Sequence, residues 1–156
     1  MKINLVAVGN LKEKYLVDSS LEYLKRISRF HTINMIEIKE ERLPANYSES
    51  DIFKCLNLEG AKIISYLSGY VIILDLNGNQ LTSVEFAKKI EKVANTHDTI
   101  TYVIGSSFGL SDQVKAKANF SLSFSKMTFP HQLFRIMLLE QIYRASTISN
   151  NITYHK

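Results

Sequence analysis

Three short segments rich in glycine and small polar residues could together form a ligand site. Leu74–Gly78, Gly105–Gly109 and Phe124–Phe129 each follow an apolar run that we expect to be a β-strand. Ligands of parallel sheets bind beyond the carboxyl ends of the strands, and glycine lets the backbone approach a ligand closely. Main-chain amides and carbonyls in such loops can bind an adenine edge without a charged side chain. The three segments are expected to line one pocket, although Gly-x-x-x-Gly also occurs as ordinary strand-to-helix punctuation.

The last three residues, Tyr154-His155-Lys156, place a phenol, an imidazole and an ammonium group side by side. These groups could supply acid–base chemistry and electrostatic stabilisation. The alternative is a frayed terminus, because terminal residues are often disordered.

Three further side chains on the predicted last helix carry groups that could take part in proton transfer or phosphate binding. His131 follows Pro130 directly, and we interpret it as a packed or solvent-facing residue rather than a proton shuttle. Arg135 and Arg144 could reach phosphate, but the simpler interpretation of each is a surface charge.

Several other kinds of site are disfavoured. The chain has neither the G-x-G-x-x-G pattern of dinucleotide-binding proteins nor a G-x-x-x-x-G-K-[ST] phosphate loop. Its four histidines lie far apart in sequence, so we expect no metal site. The single cysteine, Cys55, excludes an internal disulfide, and its amphipathic surroundings predict a buried thiol without a catalytic role.

The elements that must position these loops alternate between strand and helix. Apolar, β-branched runs predict five strands: Ile3–Val8, Thr32–Ile38, Tyr70–Leu76, Thr99–Ile104 and Phe120–Phe124. Helical periodicity predicts helices over Tyr15–Ile27, from a Ser48/Asp51 cap to Gly69, after a cap at Thr82 or Ser83, and from Pro130, while Asn77-Gly78-Asn79 has the composition of a turn. Alternation of this kind predicts one α/β domain over residues 1–156, with a mostly parallel sheet covered by helices on both faces.

Composition and charge are those of a globular cytosolic protein. The 156 residues are 46% hydrophobic and carry a net charge of +4. Residues 1–30 contain six basic and three acidic side chains, and residues 111–156 contain six and two. Basic termini suit a polyanion such as RNA, although solvated lysines explain the charge equally well. The absence of a secretory signal and of a membrane-length apolar run predicts a cytoplasmic location and no membrane partner.

One string of residues is more specific than these patterns. The sequence resembles the ribosomal RNA large subunit methyltransferase H family of the SPOUT superfamily along its whole length, through Val8–Lys12, Val103–Gly105, Ser123–Gln132 (SFSKMTFPHQ), Glu140–Ala145 (EQIYRA) and Tyr154–Lys156. Many members have Gly-Gly-x-x-Gly where this chain has Ser106 as the second residue, which leaves the geometry of that loop open.

The resemblance implies a C-terminal trefoil knot, an obligate homodimer and S-adenosylmethionine bound within the knotted loops. The residues matching the family's cofactor positions are Leu74, Gly105, Phe124, Ser125, Lys126, Met127, Thr128 and Phe129. The implied reaction is methylation of N3 of a pseudouridine in helix 69 of 23S rRNA, on the assembled ribosome.

The catalytic tail implied by the resemblance is Tyr154, His155 and Lys156. N3 of a uracil-like ring must lose a proton to accept a methyl group, and His155 is the candidate base. Lys156 could stabilise the ring anion and Tyr154 could orient the base. The alternatives are a non-catalytic RNA-binding module with a degenerate nucleotide pocket, and a small-molecule α/β enzyme with another adenine cofactor.

Overall fold

A computed structural model describes residues 1–156 as alternating strands and helices. The strands are β1 (Lys2–Val8), β2 (Thr32–Ile38), β3 (Tyr70–Gln80), β4 (Thr99–Ile104) and β5 (Phe120–Ser123). The helices are α1 (Lys14–Ile27), α2 (Glu49–Ile64), α3 (Ser83–Ala94), α4 (Asp112–Ala116) and α5 (His131–Ser149).

The five strands form one sheet in the order β2-β1-β4-β3-β5, and all the pairings are parallel. The predicted α/β class with a parallel sheet is therefore confirmed. Because every strand runs the same way, the loops after β1, β3, β4 and β5 emerge at one edge of the sheet. The trefoil knot stays a prediction.

Two apolar cores lie on opposite faces of the sheet. Successive side chains of β1 alternate between them, so Leu5 belongs to the larger core and Val6 to the smaller one. Helices α1, α3 and α5 contribute to the larger core, and α2 and α4 to the smaller. Helices cover both faces as the sequence predicts.

Two helix starts follow the predicted caps. The Ser48 hydroxyl accepts a hydrogen bond from the Asp51 amide, and the Asp51 carboxylate accepts one in return from the Ser48 amide. Thr82 and Glu85 form the same reciprocal pair at the start of α3. These capping boxes fix the residues at which α2 and α3 begin.

The predicted turn at Asn77-Gly78-Asn79 is wrong, because β3 continues to Gln80. An irregularity after Leu74 lets Leu74 and Asn79 both pair with Leu122 of β5. A Cβ atom at Gly78 would lie 2.8 Å from backbone atoms of Ser121 and Leu122, so glycine here permits close strand approach rather than a turn.

Other boundaries also differ from prediction. Helix α2 ends at Ile64 instead of continuing to Gly69, whose positive φ of 65° is incompatible with a helix. Pro130 is the N-cap of α5 rather than its first helical residue, with φ −55° and ψ 130°. The five-residue helix α4 was not predicted. None of the helices has the length and hydropathy that a bilayer crossing needs.

Candidate active site

A cleft of about 670 Å³ opens at the carboxyl edge of the sheet. Its walls come from the second half of β3 and from the segments that follow β4 and β5, together with Lys115 of α4 and the first turn of α5. The lining residues are Leu74–Asn77, Ile104–Leu110, Lys115, Ser123–Ser125, Met127–His131 and Phe134. Its volume lies within the ~300–1,000 Å³ that is usual for ligand pockets.

Seven of the eight residues predicted to bind a cofactor line this cleft. They are Leu74, Gly105, Phe124, Ser125, Met127, Thr128 and Phe129, whereas Lys126 does not line it. Their role in binding stays a prediction. Lys115 and Phe134 were not predicted to lie in this pocket, because no local pattern indicates that their helices reach the carboxyl ends of the strands.

The loop after β4 is a tight backbone cradle. A Cβ atom at Gly105 would lie 2.2 Å from the carbonyl oxygen of Gly109, so only glycine fits at position 105. The Gly109 amide donates to the Ser106 carbonyl at 2.9 Å, and Gly109 has a φ of 91°. Because the Ser106 backbone takes part in this turn, the loop closes with serine at that position. The cradle fits a ligand held by main-chain groups.

The loop after β5 is fixed at its ends and open at its middle. The Ser123 hydroxyl donates to the Ser125 carbonyl at 3.1 Å, and the Met127 amide donates to the Ser125 hydroxyl at 3.0 Å. The rings of Phe124 and Phe134 pack with centroids 4.7 Å apart. Met127 is 72% exposed, so its side chain can reach a ligand that enters from solvent.

The cleft also contains an ion pair. The carboxylate of Asp75 lies 3.1 Å from Nζ of Lys115. Burial opposes ionisation of Asp75, but the Asn77 amide and the Lys115 ammonium outweigh it and lower its pKa. A carboxylate is therefore present at neutral pH, where it can accept hydrogen bonds from hydroxyl groups of a ligand.

The C-terminal tail lies outside the cleft lining, against α5. The Tyr154 hydroxyl donates to Glu140 at 3.1 Å, and Nη1 of Arg144 contacts Nδ1 of His155 at 3.2 Å. Lys156 is exposed. Within one chain, the structure therefore does not bring the predicted catalytic tail to the predicted cofactor residues.

Glu140 connects the tail to a second cavity of about 530 Å³. Three residues line both cavities, namely Phe124, Ser125 and Phe129, so the loop after β5 separates them. The second cavity is mainly apolar, with walls from α1, α3 and α5.

The protonation of the tail follows from its contacts. Burial and the hydrogen bond to Glu140 raise the pKa of Tyr154 to about 12, so its phenol stays protonated at neutral pH. A guanidinium group only donates, so Nδ1 of His155 must accept from Arg144. In this contact the neutral His155 ring carries its proton on Nε2 and has no free acceptor.

The surface-charge interpretation of Arg135 is wrong, because its side chain is fully buried. Arg144 is three-quarters buried and pairs with Glu140 at 2.5 Å, so it is not a free surface charge either. His131 is half-buried and lines the cleft. Cys55 is half-buried rather than buried. No group of three or more His, Cys, Asp or Glu side chains is placed to hold a metal ion.

The chain matches a known protein family along nearly its whole length. The family model described as "Predicted SPOUT methyltransferase" matches residues 1–155. Proteins named ribosomal RNA large subunit methyltransferase H, from Streptococcus pneumoniae strains CGSP14 and 70585, are each 48% identical to this chain over 159 residues. The match covers 100% of this chain and 100% of each relative.

Solved structures resemble the fold at low sequence identity. A methylase family protein from Haemophilus influenzae Rd KW20 matches with a TM-score of 0.55 and 15% identity, over 99% of this chain and 70% of that one. A methylase family protein from Neisseria gonorrhoeae matches with a TM-score of 0.50 and 12% identity, over 99% and 86%. At these identities, the likeness shows a shared fold alone.

Proposed function

This chain belongs to the SPOUT methyltransferase family, and we propose that it transfers the methyl group of S-adenosylmethionine to N3 of a pseudouridine in helix 69 of 23S rRNA. The proposed setting is the assembled ribosome in the cytoplasm. The relatives' name and the family match support the reaction class, and the cleft at the sheet edge supports the site.

One observation carries the proposal. Three segments distant in sequence, one within β3 and two that follow β4 and β5, converge on a single cleft that contains seven of the eight expected cofactor residues. Gly105 permits the tight turn of the β4 loop that lines this cleft, because a Cβ atom at this position would meet the Gly109 carbonyl oxygen at 2.2 Å. The bound S-adenosylmethionine would supply an activated methyl group on sulfur, so the protein itself must position the base and manage its proton.

The path of the C-terminal segment supports the expected knot. Strand β5 lies at one edge of the sheet, yet α5 returns to pack against α1 and to contact the loop after β1. The chain therefore crosses the carboxyl edge of the sheet after forming the β5 strand, as threading through the earlier loops requires.

We propose that His155 takes the N3 proton only after its contact with Arg144 is released. While Arg144 donates to Nδ1, the ring cannot accept a proton. Release frees Nδ1 as an acceptor, and a free ring nitrogen is what a general base requires. Tyr154 remains a donor that can orient the base, and Lys156 can stabilise the developing ring anion.

A homodimer would explain the separation between tail and cleft. The second cavity is lined by half-buried apolar side chains of α5, including Ile136 and Met137, and Leu133 on the same helix is 42% exposed. A second copy packed here would cover this surface and set its tail beside the loop that both cavities share. The proposed active site is therefore composite, with the tail of one protomer serving the cleft of its partner.

The proposed function is tested by transfer of labelled methyl groups to ribosomes that lack the modification. We expect one methyl group per ribosome, mapped by mass spectrometry to N3 of a helix 69 pseudouridine. A variant lacking Tyr154–Lys156 should bind S-adenosylmethionine but lose most of its single-turnover rate. Methylation elsewhere would contradict the assigned target, and an unchanged rate in the truncated variant would contradict the role of the tail.

A further inference from the structure

Arg135 is the largest of the fully buried side chains, and it joins three segments that are distant in sequence. Its Nη1 donates to Oε1 of Glu37 at 2.9 Å, at the end of β2. Its Nη2 donates to the carbonyl of Gly9 at 2.8 Å, just after β1. The rigid guanidinium fork thereby ties the second turn of α5 to the carboxyl ends of both strands.

These contacts of Arg135 are an inefficient way to stabilise the fold. Nε of Arg135 is buried and has no hydrogen-bond partner. Burial lowers the pKa of Arg135 against the opposing effect of Glu37. A buried ion pair is often no more stabilising than apolar residues of similar volume, and an unpaired buried donor is a further penalty. The contacts therefore point to a role in position rather than in stability.

The part of α5 that Arg135 holds forms a wall of the cleft. Pro130, His131 and Phe134 line the cleft within the preceding turn. The Lys12 amide donates to Oε1 of Gln132 at 3.1 Å, which ties the same turn to the loop after β1.

The side chain of His131 packs over Gly9. A Cβ atom at Gly9 would lie 3.3 Å from Nε2 of His131. The carbonyl of the same glycine accepts from Arg135, so one backbone position contacts both the cleft wall and the buried guanidinium.

We propose that Arg135 is a positioning residue for methyl transfer, which fixes the Pro130–Phe134 wall of the cofactor cleft by holding α5 against Gly9 and Glu37. This proposal rests on the proposed function, because it assumes that the cleft binds S-adenosylmethionine. Arg135 touches neither substrate nor cofactor. Its effect is expected on cofactor affinity more than on the chemical step.

The test compares Arg135→Met with a control variant of similar stability. Methionine nearly fills the same space without either hydrogen bond. We expect Arg135→Met to raise the Kd and KM for S-adenosylmethionine about tenfold or more, with kcat at saturating cofactor within about twofold of wild type. The control is Ile27→Ala, in the larger core at the end of α1, on the side of the sheet where β2 begins. It should lower the Tm but leave the Kd for S-adenosylmethionine unchanged.

A milder variant keeps the test decisive if Arg135→Met does not fold. Glu37→Gln retains the Arg135 contact to Gly9 and weakens only the ion pair, so it should raise the Kd by a smaller factor, about threefold. Folded variants that bind the cofactor as wild type does would overturn the positioning role. Wild-type protein that fails to bind S-adenosylmethionine would overturn the proposed function instead.

Discussion

Some titratable and polar side chains of this molecule are buried in the fold, and others lie at or beside one of the two cavities. Tyr102 and Glu59 are buried and belong to neither cavity lining. Asp75 and His131 line the cleft, whereas Tyr154 and His155 contact α5 beside the second cavity. Substitutions of Tyr102 and Glu59 should change the stability of the fold. Substitutions of the side chains at the cleft or in the tail should change activity.

Tyr102 provides a direct test of a buried, unpaired hydroxyl. Its side chain is fully buried in β4, its hydroxyl has no partner, and burial raises its pKa far above the ordinary value. Tyr102→Phe removes that desolvated group, so the free energy of unfolding should rise by about 1 kcal/mol and the Tm by roughly 2–4 °C. Differential scanning calorimetry measures both, and a lower Tm would show that the hydroxyl is hydrogen-bonded.

Glu59 should make stability depend on pH. Burial raises the pKa of this carboxyl group, against opposing hydrogen bonds from the Glu41 amide and Ser106. The folded protein therefore holds the Glu59 proton to higher pH than the unfolded chain does. As pH rises from the ordinary carboxyl value through the raised one, Glu59 stabilises the fold progressively less.

Glu59→Gln removes this dependence. The Tm of the variant relative to wild type should increase as pH rises from about 4 to 7, as measured by thermal unfolding across that range. Glu91→Gln, at an exposed position of α3, controls for loss of one negative charge. A Tm difference between Glu59→Gln and wild type that stays constant with pH would show that burial does not control this group.

At the scale of the elements, the loop after β4 forms one wall of the cleft. Gly105→Ala would put a methyl group within 2.2 Å of the Gly109 carbonyl oxygen, so the loop must move. We expect affinity for S-adenosylmethionine to fall at least tenfold by calorimetry. Gly109→Ala is the matched control, because an added Cβ there meets nothing within 4 Å and only the positive φ opposes it.

Gly109→Ala should therefore lose about 1 kcal/mol of stability and retain more affinity than Gly105→Ala. Equal loss of affinity in the two variants would mean that backbone conformation, and not the close approach at Gly105, governs the cradle.

Sequence patterns predicted the strands well because buried parallel strands are continuous apolar runs. Those runs also placed the two cleft segments that follow β4 and β5, since loops after parallel strands share one edge of the sheet. The extension of β3 through Gly78 was missed, because glycine beside asparagine is typical of turns and the close approach of β5 is a long-range contact. Helix α4, with five residues, is too short for periodicity to indicate.

Arg135 shows why part of the site could not be predicted. An arginine ordinarily lies at the surface, and the partner of Arg135, Glu37, is 98 residues away. Only the folded topology brings α5 beside the ends of β1 and β2. The separation of Tyr154–Lys156 from the cleft likewise depends on how α5 packs, which no local pattern encodes.

At the scale of the whole molecule, the proposed dimer makes a distinctive prediction. Arg144 and Tyr154 of the tail contact Glu140, which lines the second cavity, while Gly105 lies in the cleft. If each active site combines one cleft with the partner's tail, mixing a Gly105→Ala protein with a tail-deleted protein should restore activity. Heterodimers would contain one intact composite site, giving up to about a quarter of wild-type activity at equal mixing if chains assort randomly.

The mixing experiment requires exchange of protomers, which native mass spectrometry can follow. Neither variant alone should show activity above a few per cent of wild type. Heterodimers that form but remain inactive would contradict the composite site and place the tail and cleft of one chain together.

The central claim is that the cleft between Leu74, Gly105 and Phe124–Phe129 holds the methyl donor. A crystal structure of the wild-type protein with S-adenosylmethionine tests it most directly. We predict donor density in this cleft, with its adenine bound by main-chain groups and its methyl group facing the tail of the partner protomer. Donor bound in the second cavity, or a cleft that remains empty at saturating donor, would contradict the claim.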